Sequence, residues 1–141
     1  MWIDAVYGRF RRDFITSRPV LGGLNVGVSR ALDTDGRERR FWHLATEGVE
    51  EKTRVPHPRR CERIAWPRAI IDALVAALPE VRSWPQRRSR QNMLVLGLDD
   101  FSYVVVLAAK PTHYLLITAF CVVSERRRAT YRREWERAAR T

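Results

Sequence analysis

Hydrophobic positions between residues 2 and 16 recur in steps of three and four. Trp2, Ile3, Val6, Tyr7, Phe10, Phe14 and Ile15 carry the period, with Arg9, Arg11 and Arg12 between them. This is the spacing of an amphipathic helix. Ser17-Arg18-Pro19 stops it, because proline drives the preceding residue out of helical geometry. Gly22-Gly23 marks a loop. Residues 25–32 read as extended, Asp33-Thr34-Asp35-Gly36 as a turn and 37–46 as a strand, so a β-hairpin is expected over 25–46. A polar loop with Pro56 and Pro58 fills 47–60. Ile70, Ile71, Leu74, Val75 and Leu78 then form the stripe of a helix over 61–78, with Pro67 in its first turn and Pro79 at its end.

Residues 80–92 hold Trp84-Pro85 with Arg82, Arg87, Arg88 and Arg90, and read as a basic connector. Three apolar runs come next, at 93–98, 103–109 and 114–123, with Asp99-Asp100 in the short link between the first two and Lys110 to His113 between the last two. Links this short join antiparallel neighbours, so the runs form a meander, which the strand at 37–46 is expected to join. The tail, 125–141, is a basic helix, with Tyr131 and Trp135 four apart to dock it. The expected class is α+β. N-terminal and middle helices pack on a roughly four-stranded antiparallel sheet, in one domain over residues 1–141.

Composition narrows the partners. The chain has 141 residues, 45% of them hydrophobic, which is enough for a core and excludes wholesale disorder. It carries 26 Lys and Arg against 16 Asp and Glu, a net charge of +10. Lysine occurs only at Lys52 and Lys110, so 24 of the 26 cations are arginine. A G+C-rich genome also writes arginine for lysine, but that leaves the net charge unexplained. The planar guanidinium fits phosphate bidentately, so polyanions, nucleic acid first, are the favoured partners. Cys61 and Cys121 are too few for a disulfide scaffold and read as reduced thiols. The Cys and His spacing suits no metal site, and no phosphate-loop or dinucleotide motif is present, so neither metal nor cofactor is expected. No apolar run approaches the roughly 18 residues of a membrane span. Residues 1–30 lack the apolar stretch of a signal peptide, which points to the cytoplasm.

The last strand is the most informative. Alternation sets Leu115, Ile117, Ala119, Cys121 and Val123 on one face, expected to meet the helices. The other face carries Tyr114, Leu116, Thr118, Phe120 and Val122. A hydroxyl flanked by aromatics suits an open sheet face that holds bases and a phosphate. Thr118 also fits as an ordinary β-branched strand residue. In the strand at 37–46, Trp42 and Leu44 share one face, and Phe41, His43 and Ala45 the other. If the first pair faces the core, His43 points to the same side as Thr118. Histidine exchanges protons near neutrality; a buried histidine bonded to backbone is the competing reading. His57, between two prolines, and His113, in a tight turn, read as surface residues, and Glu47 reads equally as a residue that orients a histidine or acts as a base and as a turn residue. Of the basic groups, Arg54, Arg59, Arg60 and Arg63 stand out because they come after His43 through a proline-stiffened loop.

Three segments together resemble a known group. The first runs from Asp35-Gly36 to Gly48 through Phe41-Trp42-His43 and Glu47. The second runs from Arg54 to Trp66 and on to Ile70-Ile71. The third is His113-Tyr114-Leu115-Leu116-Ile117-Thr118-Ala119-Phe120 before a basic tail. In this order they resemble the phage- and mobile-element-associated nucleases of the barnase/EndoU/colicin/RelE-like (BECR) group. The resemblance implies a small antiparallel sheet with the active site on its open face, and metal-independent RNA cleavage. In that chemistry the 2′-hydroxyl attacks the adjacent phosphorus, leaving a 2′,3′-cyclic phosphate and a 5′-hydroxyl. Carried over by position, His43 is the general acid/base, Thr118 positions the phosphate and Arg60 neutralises it. Arg54, Arg59, Lys110, Tyr114 and Phe120 are the implied RNA contacts. RNA, tRNA included, is the implied substrate, and an immunity or antitoxin protein the implied partner. Phe120 stands where a tyrosine is common, and the proline-flanked His57 where an acid is expected. The alternatives are a non-catalytic nucleic-acid binder and a phage-derived accessory protein on the same fold.

Overall fold

The first apolar period forms α1 (Trp2–Arg11), which runs into a π-helical turn over Arg12–Thr16. The Ser17 hydroxyl closes it by donating to the Arg12 carbonyl at 2.6 Å. The computed structural model describes residues 2–47, 55–56 and 58–140. After α1 come β1 (Val20–Leu21) and β2 (Leu24–Gly27), paired antiparallel around Gly22 and Gly23, both at positive φ. The later strands are β5 (Val81–Arg88), β6 (Gln91–Leu98), β7 (Tyr103–Ala109) and β8 (Tyr114–Cys121).

The α+β class holds, but the sheet is larger than four antiparallel strands. Six strands lie in the order β1-β2-β8-β7-β6-β5. The meander expected over 93–123 is present as β6, β7 and β8. The mixed character comes from β2, which runs parallel to the start of β8 through Val26↔Tyr114 and Gly27↔Leu115. The residues read as a basic connector are instead β5, paired with β6 along its whole length. Pro85 and the arginines conceal it. Pro85 is tolerated because β5 is an edge strand, where a missing N–H leaves no ladder bond unmade.

The expected hairpin over 25–46 is also absent. The turn at Asp33–Gly36 forms, with Gly36 N–H donating to the Asp33 carbonyl at 2.9 Å. The next element is α2 (Arg39–Ala45), a helix rather than a strand. Its buried residues are Phe41, Leu44 and Ala45, spaced three and four apart. The aromatic content suggests β structure, but that spacing is a helical stripe. Phe41 packs against Tyr7 and Phe10 of α1, at centroid distances of 5.0 and 5.5 Å. Thr46–Glu47 and Val55–Pro56 pair as β3 and β4. The helix expected over 61–78 is broken into α3 (Pro58–Glu62) and α4 (Trp66–Val75). Pro67 causes the break, since it cannot donate to the preceding turn and fits only at a helix start.

Helix α5 (Glu125–Ala139) begins at a Ser124 cap whose hydroxyl accepts from Arg127 N–H. It covers one sheet face through Tyr131 and Trp135, over Trp84, Val95, Phe101, Val104 and Val106. The opposite face packs Leu96, Val105, Leu107 and Leu116 against Phe10, Phe41, Leu44 and Ile71. Among the described residues, therefore, each face of the sheet carries a hydrophobic layer, where alternation predicts one face open. Gly97 sits on β6 where a Cβ would lie 3.1 Å from the Trp84 ring, and Trp84 is 1% exposed. Overpacking there forces a shift that the ring has no room to make, so Gly97→Ala is expected to destabilise by about 1–3 kcal/mol in urea titration.

Candidate functional site at the β8 edge

The pairing of β7 with β8 slips between Val106 and Leu107, which oppose Thr118 and Leu116. Ile117 is thus an extra residue, a bulge that reverses the alternation of everything after it. Tyr114 and Leu116 pack on the α1–α2 side, and so do Ala119 and Cys121 beyond the bulge. Leu115, Ile117, Phe120 and Val122 pack on the α5 side. The expected division of β8 into two fixed faces fails for this reason. Strand β2 pairs only with Tyr114 and Leu115, so helix α2 rather than a strand lies beside the later part of β8. The guanidinium of Arg40 on α2 donates to the carbonyl of Ile117. Burial lowers the Arg40 pKa from its ordinary value.

One turn on from Arg40, His43 is exposed and its Nε2 lies 3.1 Å from Thr118 Oγ1. The two side chains meet across the strand edge, a helix against a strand, and not on a shared sheet face. Arg60, on α3, donates from Nη1 to the main-chain carbonyl of His43 at 3.1 Å. A small hollow of about 230 Å³ beside His43 is lined by Ser29, Ala31, Arg39 and Arg40. Arg39 also pairs with Asp33 at 3.2 Å.

On the other side of Arg60 opens a cleft of about 530 Å³. It is lined by the end of β8 and the two residues after it, Ala119 to Val123, with Tyr103 of β7. Arg59, Arg60 and Arg63 line one side, and Arg128 of α5 another. Trp66 lies edge-on to Tyr103 at 5.0 Å, and the Arg63 guanidinium sits 5.1 Å from the Trp66 ring centre. Burial pushes the Tyr103 phenol well up from its ordinary value; the Cys121 thiol adds to this, while Arg63 and Arg60 oppose it. Arg128 is anchored by donating to the Val122 carbonyl at 2.7 Å. Beyond this rim, the Asp100 carboxyl is held below its usual range, first by the Ser102 hydroxyl that donates to it at 2.6 Å.

Comparison with protein-family models, curated proteins and solved structures finds no match.

The sequence-predicted residues thus divide. His43, Thr118 and Arg60 come together, and Arg59 and Phe120 line the adjoining cleft. Lys110 and Tyr114 lie at the far end of β8, where Lys110 N–H closes a turn onto His113. Tyr114 is four residues from Thr118, about 13 Å along an extended strand. Arg54 and His57 lie outside the described residues. Sequence reasoning passes over Arg40, Trp66, Tyr103 and Arg128. Arg63-x-x-Trp66 is the available signal, a cation and an indole one turn apart. Both cysteines are thiols, Cys61 buried and Cys121 half-buried. Among the described residues no group of three or more His, Cys, Asp or Glu could hold a metal ion, and no helix is long and apolar enough to cross a membrane.

Proposed function

We propose that this protein is an endoribonuclease of the BECR type, acting at the edge of β8 with His43 as general acid/base. The observation that carries the reading is the contact of His43 with Thr118, 3.1 Å apart across 75 positions of sequence and open to solvent. A phosphate entering there meets the Thr118 hydroxyl, the imidazole and the arginines on either side. The imidazole takes the proton of the 2′-hydroxyl as it attacks phosphorus, or returns one to the departing 5′-oxygen. Thr118 donates to a non-bridging oxygen, and Arg60 offsets the charge that builds on it. The positive charge of the chain and the resemblance of its three segments support RNA as the substrate.

The deciding experiment incubates purified protein with total RNA in EDTA and analyses the fragment ends. Cyclic phosphate and 5′-hydroxyl termini are the expected products, and intact RNA would overturn the proposal in favour of a binder. RNA binding itself is expected to weaken steeply with salt, since each neutralised phosphate releases counterions. Replacing Arg59 and Arg60 together by alanine should lower the slope of log affinity against log salt by about 1–2. Filter binding between low and moderate salt measures it, and an unchanged slope would remove both arginines from the interface.

A further inference from the structure

The cleft beyond Arg60 is not needed to move protons, yet the residues next in sequence to His43 and Thr118 line it. Thr118 is followed by Ala119 and Phe120, which line it, and His43 by Leu44, which lines it too. Arg60 lines the cleft while its guanidinium holds the His43 carbonyl. Its volume of about 530 Å³ falls in the range of small-ligand sites, about 300–1,000 Å³. Four arginines line it, and no carboxylate does among the described residues. Trp66, with Tyr103 edge-on to it, supplies aromatic surface, and Trp66 is 39% exposed.

We infer that this cleft is the seat of one nucleotide next to the scissile phosphate, with its base against Trp66 and its phosphate on Arg59, Arg63 and Arg128. The chemistry of the walls selects this occupant. Arginine forks match phosphate oxygens, and aromatic rings hold bases of any sequence by stacking. An acidic peptide would satisfy the arginines but leave the aromatic surface without a planar group to cover. The inference rests on the endoribonuclease reading for which nucleotide it holds, but not for binding as such.

The test uses the full chain and 5′-AMP, with ribose 5-phosphate and inorganic phosphate as comparators, followed by calorimetry and by quenching of tryptophan fluorescence. AMP is expected to bind at least about tenfold more tightly than ribose 5-phosphate, because only AMP carries a base to stack. Trp66→Ala should remove most of that difference while leaving inorganic phosphate binding in place, and Trp66→Phe should restore part of it. Arg63→Gln should weaken AMP and inorganic phosphate alike, and serves as the second variant if Trp66→Ala does not fold. Equal affinity for AMP and ribose 5-phosphate would overturn the inference, as would Trp66→Ala or Arg63→Gln with unchanged AMP binding. The two readings fail separately. Base-dependent AMP binding without RNA cleavage removes the nuclease and keeps the nucleotide site, whereas cleavage without base-dependent binding does the reverse.

Discussion

Replacing His43 by alanine is expected to lower RNA cleavage by about 10²–10⁴-fold, the usual contribution of a positioned acid or base. The fold should be unaffected. His43 is exposed on α2, and the residues that seat that helix are Phe41, Leu44 and Ala45. RNA binding should survive for the same reason, since arginines on α3 and α5 supply the attraction. Thr118→Ala is expected to cost less, about 1.5–3 kcal/mol, which is one hydrogen bond to a charged oxygen. Single-turnover rates in EDTA, alongside filter binding, separate the two effects. His43→Ala protein that cleaves at the wild-type rate would exclude imidazole chemistry altogether.

The largest effect on stability is expected at Trp84. Its ring is 1% exposed and packs on Phe101 and Tyr131, at 5.6 and 5.9 Å between centroids. Its Nε1 donates to Glu134 on α5 at 3.1 Å, and Gln86 donates to the same carboxylate oxygen. Trp84→Ala therefore opens a cavity and removes one of the two donors holding a half-buried carboxylate. The cavity alone is worth about 3–5 kcal/mol, against about 5–15 kcal/mol of total stability for a typical domain. Trp84→Phe keeps most of the volume but not the donor, and should fall between. Urea denaturation followed by circular dichroism measures both, and a loss below about 1 kcal/mol for the alanine variant would mean that α5 is not held through this ring.

Local signals are legible where a single period or a short link decides the structure. The three- and four-residue steps of Ile3, Val6 and Phe10 mark α1, and the short link that begins at Asp99-Asp100 marks adjacent antiparallel strands. Tyr131 and Trp135 mark the docking face of α5. Pattern fails where two periods fit the same residues. Phe41, Leu44 and Ala45 satisfy a helix, while Trp42 and Leu44 satisfy a strand, and seven residues are too few for periodicity alone to decide. In β5 the buried pair is Val81 and Trp84, an odd step apart, because the edge strand packs into both layers. Alternation anticipates the proximity of His43 and Thr118, yet neither element obeys it. One belongs to a helix, and the other lies just past a bulge that sequence spacing cannot reveal, because it depends on the register with β7. The cleft is invisible for a related reason: Arg63, Tyr103 and Arg128 come from three separate parts of the chain.

The contact between Arg40 and the Ile117 carbonyl has a bearing on self-association. Past Leu115, β8 has no strand beside it on this margin among the described residues, and bare strand margins recruit strands from other molecules. Helix α2 occupies that margin, and the arginine supplies a donor that a foreign backbone would otherwise offer. The same helix carries His43. Whatever loosens α2 also uncovers a template for intermolecular pairing. Substitutions along this margin are thus bounded first by aggregation.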